Sequence, residues 1–193
     1  MTQADFEVSL STTFEVVEDR LLGATWMPSP HHSPRPAWAN VELVVIHCIS
    51  LPEGQYGTGA PERLFCGALD CTEHASFEDL KGVEVSAHLL ISRDGDVKQF
   101  VAFDQQAWHA GVSSWAGRER CNQFSIGIEV EGSIDEAYTH DQLNALTRVL
   151  NALLEHYEHL SVNHIVGHQD IAPGRKTDPG PHFDWRGVLT RLS

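Results

Sequence analysis

Residues 166–180, VGHQDIAPGRKTDPG, bring His168, Lys176 and Asp178 within eleven positions. Pro173, Gly174, Pro179 and Gly180 break helix and strand patterns alike, so a loop without regular structure is expected, held open by rigid turns. Imidazole, ammonium and carboxylate on one such loop have little packing reason to be there, and the segment reads as a reaction site. A second imidazole, His47, interrupts the apolar run VVIHCI near the C-terminal end of residues 41–50. Sites in α/β proteins collect outside the carboxyl ends of strands; a histidine there is otherwise a hydrogen-bonded core residue. His168 follows VNHIVG in the same way. Two imidazoles and one carboxylate, from Asp178, make a set that holds catalytic zinc and leaves the fourth position for water. Non-heme iron takes the same set, and spacing does not separate the metals. Asp170 is a rival for the carboxylate. His164, on the same expected strand as His168, would sit about 13 Å from it by strand rise, which makes it a structural or surface residue.

Three further groups could complete the chemistry. In FSIGIEVEG, alternation sets Phe124, Ile126, Ile128 and Val130 on one face and Ser125, Gly127, Glu129 and Glu131 on the other. Glu129 beside Gly127, which would leave room for a substrate or a water, is the candidate base. The plain alternative is a solvent-facing strand glutamate, which is the reading for Glu131. Lys176, close to Asp178, could stabilise negative charge on a carbonyl oxygen, or be a solvated loop lysine. In the loop WHAG, Trp108 could stack on a sugar ring or belong to the core, and His109 could line the cleft or donate to substrate. His88 is a core or a cleft histidine. Cys48 directly follows His47 and points to the other face of the strand, against a Cys–His dyad. The chain has no Walker loop and no GxGxxG.

The elements that must hold these groups follow from periodicity. VELVVIHCIS is apolar on both faces, as a buried central strand is. VEVSAHLLI and VKQFVAF flank Asp94-Gly95 as a hairpin, and FSIGIEVEG is another strand. Thr139 and Gln142 form a capping box, and the helix they start carries a stripe from Leu143 to Tyr157 that must pack on the sheet. VNHIVG is a short strand. Residues 183–192 form a weaker helix with Asp184 as its cap. Residues 1–40, with four prolines in MPSPHHSPRP, read as an irregular arm anchored by Trp26 and Trp38. Residues 51–80 are a long excursion, with a short helix near SFEDLKG, and long excursions usually have a functional reason. Strands, a helix and another strand predict a mixed sheet covered by helices, within a single domain spanning 1–193.

Composition narrows the partners. The chain has 193 residues, 41% of them apolar, enough for one sizeable core. Its formal charge of −14 disfavours nucleic acid and anionic membrane surfaces as partners, while one local lysine can still attract a small anionic substrate. No signal peptide and no apolar run of membrane-crossing length is visible, so a cytoplasmic protein with four free thiols is expected.

In order along the chain, HCIS, VSAHLLISRDG, AWHAGVSSWAGRERCN, FSIGIEVEG and GHQDIAPGRKTDPG resemble the cytoplasmic N-acetylmuramoyl-L-alanine amidases of cell-wall recycling. The likeness runs over nearly the whole chain, from about residue 22 to 189. It implies the type-2 amidase and peptidoglycan-recognition-protein fold: a mixed α/β domain with a central mixed sheet of five or six strands flanked by helices. It implies one zinc per chain, held by His47, His168 and Asp178, with Glu129 and Lys176 as the catalytic pair. The substrate it implies is a small soluble muropeptide, cut at the amide between the lactyl group of anhydromuramic acid and L-alanine. A monomer is expected, with residues 51–80 on the substrate side.

Two other readings stand beside this one. A lytic amidase would use the same site on intact wall. A peptidoglycan-binding module without catalysis would typically have lost a metal ligand, whereas all three proposed ligands are present.

Overall fold

A computed structural model describes residues 13–192. Along the chain lie β1 (Glu15–Val17), β2 (Arg20–Leu22), β3 (Thr25–Trp26), β4 (His32–Pro34) and β5 (Leu43–Ile49). Helix α1 (Ala60–Phe65) and a 3-10 turn (Ala75–Leu80) follow, then β6 (Leu89–Ile91), β7 (Val97–Gln99), β8 (Gln105–Ala107), β9 (Ser114–Trp115) and β10 (Arg118–Glu119). A 3-10 turn (Cys121–Gln123) leads into β11 (Ser125–Glu131) and α2 (His140–His156). A third 3-10 turn (Val162–His164), β12 (Ile165–Gly167), α3 (His168–Ile171) and α4 (Trp185–Leu189) close the chain.

Six strands form the central sheet in the order β12-β5-β11-β6-β7-β3. The four from β12 to β6 run parallel, β7 is antiparallel to β6, and β3 lies parallel to β7 at the edge. The expected mixed α/β sheet flanked by helices is the one observed. β5 is central because Leu43 to Ile46 are buried on both faces, and such a strand has nothing to offer solvent. β11 alternates as expected. Ile126, Ile128 and Val130 pack with Leu146, Val149, Leu150 and Leu153 of α2, leaving Ser125, Gly127 and Glu129 for the opposite face. Thr139 Oγ1 accepts from Gln142 N, and Gln142 Oε1 accepts from Thr139 N, so α2 starts at the expected capping box. The Asp94-Gly95 turn joins β6 to β7, with Gly95 at φ 86°, a conformation that suits glycine.

Several expectations differ from what forms. Within residues 13–40 the arm contains four short strands, and β3 extends the main sheet. Trp26 and Trp38 do not anchor it: they are 37% and 62% exposed, while Val16 and Leu21 are buried in the core. The remainder of the arm, residues 1–12, lies outside the described residues. The excursion 51–80 holds α1 as well as the expected turn near SFEDLKG; α1 buries Leu64 and Phe65 against Leu90 and Phe100. Of VNHIVG only Ile165–Gly167 is strand, because the preceding residues wind into a 3-10 turn. His168 does not sit in irregular loop either. It opens α3, which Asp170 caps by accepting from Gly167 N at 2.7 Å. Glu131 is buried at 5% exposure and accepts from the backbone N–H groups of Gly57 and Arg93; a carboxylate satisfied this way can leave solvent.

No helix among the described residues is long and apolar enough to cross a membrane.

Candidate metal centre and active site

The sheet register determines what can meet. Glu129 of β11 pairs with His47 of β5, and both strands run parallel toward the same end. β12 flanks β5 on the other side, with Gly167 opposite Ile46, so His168 emerges one residue later at the same rim. Asp178 returns to this point on the loop after α3, where its carbonyl accepts from Gln169 N at 3.0 Å. Tyr138, buried under the rim, donates its hydroxyl to the carbonyl of Pro179 at 2.8 Å and ties down the residue beside Asp178.

Three donor atoms converge there. His47 Nδ1 lies 2.9 Å from His168 Nδ1 and 3.3 Å from Asp178 Oδ2, and His168 Nδ1 lies 3.1 Å from the same oxygen. Both histidines are almost fully buried, at 2% and 4% exposure. A tetrahedral ion about 2.0–2.1 Å from nitrogen and oxygen donors needs donor–donor edges of about 3.3 Å. The triangle is therefore already close to the size a small divalent cation requires, and these three residues could hold one. Asp170, the rival carboxylate, is committed to capping α3.

Glu129 faces the same cleft, and its Oε2 is buried without a hydrogen-bond partner among the described residues. An orphaned buried carboxylate oxygen at the edge of a donor triangle is a place for a water or a substrate group. Burial, reinforced by the nearby Asp178 carboxylate and opposed by Lys176, pushes the Glu129 carboxyl up to about 8. Burial pushes His47 the other way, down to about 4, so its imidazole is neutral and able to coordinate a metal. Lys176 and Thr177 border the cleft from the loop after α3, and Glu53, Leu64 and Phe65 border it from the excursion. The cleft has a volume of about 430 Å³. Lys176 is exposed and its backbone N–H is held by Ala172 O at 3.1 Å.

The other sequence candidates divide between the cleft wall and the core. Trp108 borders the cleft, half-buried, and its indole N–H donates to Ser33 Oγ at 3.1 Å. His109 also borders the cleft, and its ring contacts His47, with Nδ1 2.8 Å from His47 Nε2 and Nε2 3.0 Å from Ser125 Oγ, so protein groups engage both nitrogens. His88 is fully buried and structural: Nδ1 accepts from Gly127 N, and Nε2 donates to Gln105 O. His164 packs its ring 5.1 Å from Trp115, away from the donor triangle. The space beside Gly127 is not open to substrate, because a Cβ there would run into the His109 ring. Asn122 and Ser125 were not singled out in the sequence, yet they grip the WHAG loop: Asn122 Oδ1 accepts from the N–H groups of both His109 and Ala110. Their only sequence signal is position, beside the 3-10 turn and on the site face of β11.

The fold and the site together define a mixed α/β domain with a candidate metal centre at the strand ends. Residues 37–181 match the N-acetylmuramoyl-L-alanine amidase family, Amidase_2. The chain belongs to that family. It is 51% identical over 179 residues to the 1,6-anhydro-N-acetylmuramyl-L-alanine amidase AmpD of Citrobacter freundii, spanning 91% of this chain and 95% of that one. A crystal structure of a selenomethionine AmpD derivative superimposes with a TM-score of 0.89 at 48% identity, covering 92% of this chain and 99% of that one. The structure of AmpDh3 from Pseudomonas aeruginosa in complex with anhydromuramic pentapeptide matches with a TM-score of 0.58 at 28% identity, over 86% of this chain and 65% of that one.

Proposed function

We propose that this enzyme is a zinc-dependent amidase that cleaves the bond between the lactyl group of 1,6-anhydro-N-acetylmuramic acid and L-alanine in small soluble muropeptides. The observation that carries the reading is the triangle of His47 Nδ1, His168 Nδ1 and Asp178 Oδ2 beside the unpartnered oxygen of Glu129. Similarity to AmpD over most of both chains supports the anhydromuramyl substrate.

His47, His168 and Asp178 would hold the zinc, one per chain. When bound, the ion supplies Lewis acidity toward a carbonyl oxygen and makes water a nucleophile near neutral pH. Glu129 is the base. A cation beside it favours its ionised form, against the burial that favours the acid. The carboxylate takes a proton from the attacking water as the oxygen–carbon bond forms, then returns it to the departing alanine nitrogen as the carbon–nitrogen bond breaks. Lys176, reaching in from the rim, stabilises the negative charge that collects on the carbonyl oxygen in between. Trp108, at the cleft wall, offers a flat apolar surface to the sugar. The products are the anhydromuramic acid and a peptide with a free amino terminus, and the enzyme works as a monomer in the cytoplasm.

The test offers purified protein of measured zinc content an anhydromuramoyl peptide and, separately, intact sacculi. Release of peptide from the soluble fragment and not from sacculi is expected. Comparable solubilisation of sacculi would favour a lytic enzyme, and zinc binding without cleavage of either would favour a binding module.

A further inference from the structure

We propose that His109 is a positioning residue: the middle link of a hydrogen-bond relay, Cys121 O–Ser125–His109–His47, that directs the His47 Nδ1 lone pair at the metal position. The inference rests on reading His47, His168 and Asp178 as a metal site.

The polarity of the relay follows from its far end. A carbonyl oxygen can only accept, so the contact of 2.7 Å between Ser125 Oγ and Cys121 O uses the serine proton. Ser125 Oγ must then accept from His109 Nε2, 3.0 Å away. A neutral His109 with its proton on Nε2 has a lone pair on Nδ1, which accepts from His47 Nε2 at 2.8 Å. His47 is left with a lone pair on Nδ1, the atom that faces His168 and Asp178. Run in reverse, the relay would place a proton on His47 Nδ1, in the centre of the donor triangle, and block coordination. The serine–carbonyl contact excludes that arrangement.

The neighbouring residue treats the other histidine alike. Ala110 O accepts from His168 Nε2 at 3.2 Å, so His168 also turns a lone pair on Nδ1 inward. One short loop thus orients both imidazoles, His109 through its ring and Ala110 through its carbonyl. The loop itself is held by Asn122 Oδ1 on one side. On the other, Arg175 Nη2 donates to Ala110 O at 2.8 Å and also to Val112 O. Gly127 is part of the device, because only a residue without a side chain lets the His109 ring lie across β11 between Ser125 and His47. The partner of a metal-bound imidazole determines its tautomer and its direction, and losing such a partner typically weakens metal binding about 10–100-fold.

The experiment compares wild type with Ser125→Ala, His109→Leu and His109→Gln. Zinc affinity is measured by competition with a chromophoric chelator, and the imidazole tautomers of metal-free protein are read from ¹⁵N chemical shifts. Ser125→Ala and His109→Leu should each weaken zinc about 10–100-fold, and His47 should lose its pure Nε2–H form. His109→Gln should recover most of the affinity, since its amide oxygen accepts from His47 and its N–H donates to Ser125. Equal zinc affinity in all four proteins, with the His47 tautomer unchanged in Ser125→Ala, overturns the relay. Wild type that binds no zinc would instead overturn the metal reading, and the tautomer measurement on metal-free protein would still decide the relay. If His109→Leu does not fold, Ser125→Ala carries both readouts alone.

Discussion

Glu129 and His47 are cross-strand partners on adjacent parallel strands, in register, so their side chains leave the same face of the sheet at its carboxyl edge. A base and a metal ligand held this way keep a separation set by backbone hydrogen bonds instead of by loop conformation. Glu129→Gln preserves size and burial but cannot take a proton. It should keep its zinc and lose roughly 10²–10⁴-fold in kcat, with KM little changed. Steady-state kinetics on zinc-loaded protein checks this; a kcat near wild type would remove Glu129 from the proton transfer.

Asp178 contributes one corner of the donor triangle, 3.1 and 3.3 Å from the two imidazole nitrogens. Asp178→Ala should lose metal and activity together, and chelator treatment of wild type should produce the same inactive state, reversed by added zinc. Zinc analysis alongside the assay distinguishes the cases. Full activity in chelated, metal-free protein would disprove metal dependence.

Lys176 stands at the rim, exposed, and is not one of the three donors of the triangle. Lys176→Ala should therefore retain zinc while kcat drops about 10²–10³-fold, the scale of losing one group that stabilises a developing oxyanion. Unchanged turnover would assign the lysine to solvent. His164→Ala, altering a residue packed on Trp115, should change activity little.

Metal-free protein should be most stable near pH 6.5. Burial holds His47 down to about 4 and holds His88 and His109 well below the ordinary histidine value of 6.5. The unfolded chain therefore binds these protons first as pH falls, and folding stability is lost below 6.5. Glu129, raised from 4.5 to about 8, acts oppositely: the folded chain keeps its proton and loses stability as pH rises from 4.5 to 8. Between pH 6.5 and 4.5 the imidazoles outweigh the single carboxyl by about two protons. The slope there is of order 3 kcal/mol per pH unit at most. Urea midpoints in chelator at pH 5, 6.5 and 8 measure it, and a midpoint that stayed level from 6.5 to 5 would contradict the burial of these rings.

Strands that are apolar throughout, such as β5, or strictly alternating, such as β11, were legible because burial on both faces or on one leaves a pattern in the chain itself. The capping box of α2 was legible for the same reason: Thr139 and Gln142 act on each other across one turn. The two-residue strands β3, β9 and β10 were not, since two residues carry no period. Helix α1 was hidden because Leu64 and Phe65 are explained by the sheet residues they cover and not by their neighbours in sequence. The buried Glu131 looked like any strand glutamate until Gly57 and Arg93 supplied the N–H groups that let it leave water.

The chain alone determined which groups were available: two histidines after apolar strands, an aspartate and a lysine on one proline-bounded loop, and a glutamate beside a glycine. Residue type and local spacing carry that information, because they decide what a side chain can donate, accept or coordinate. Only the folded structure decided direction. Gly127 looked like room for a substrate and is room for His109; His109 borders the cleft as expected, and its ring nitrogens are turned to His47 and Ser125. Direction depends on atoms brought together from positions 47, 109, 121, 125, 168 and 178, and no local pattern records which nitrogen of a ring will find a carbonyl.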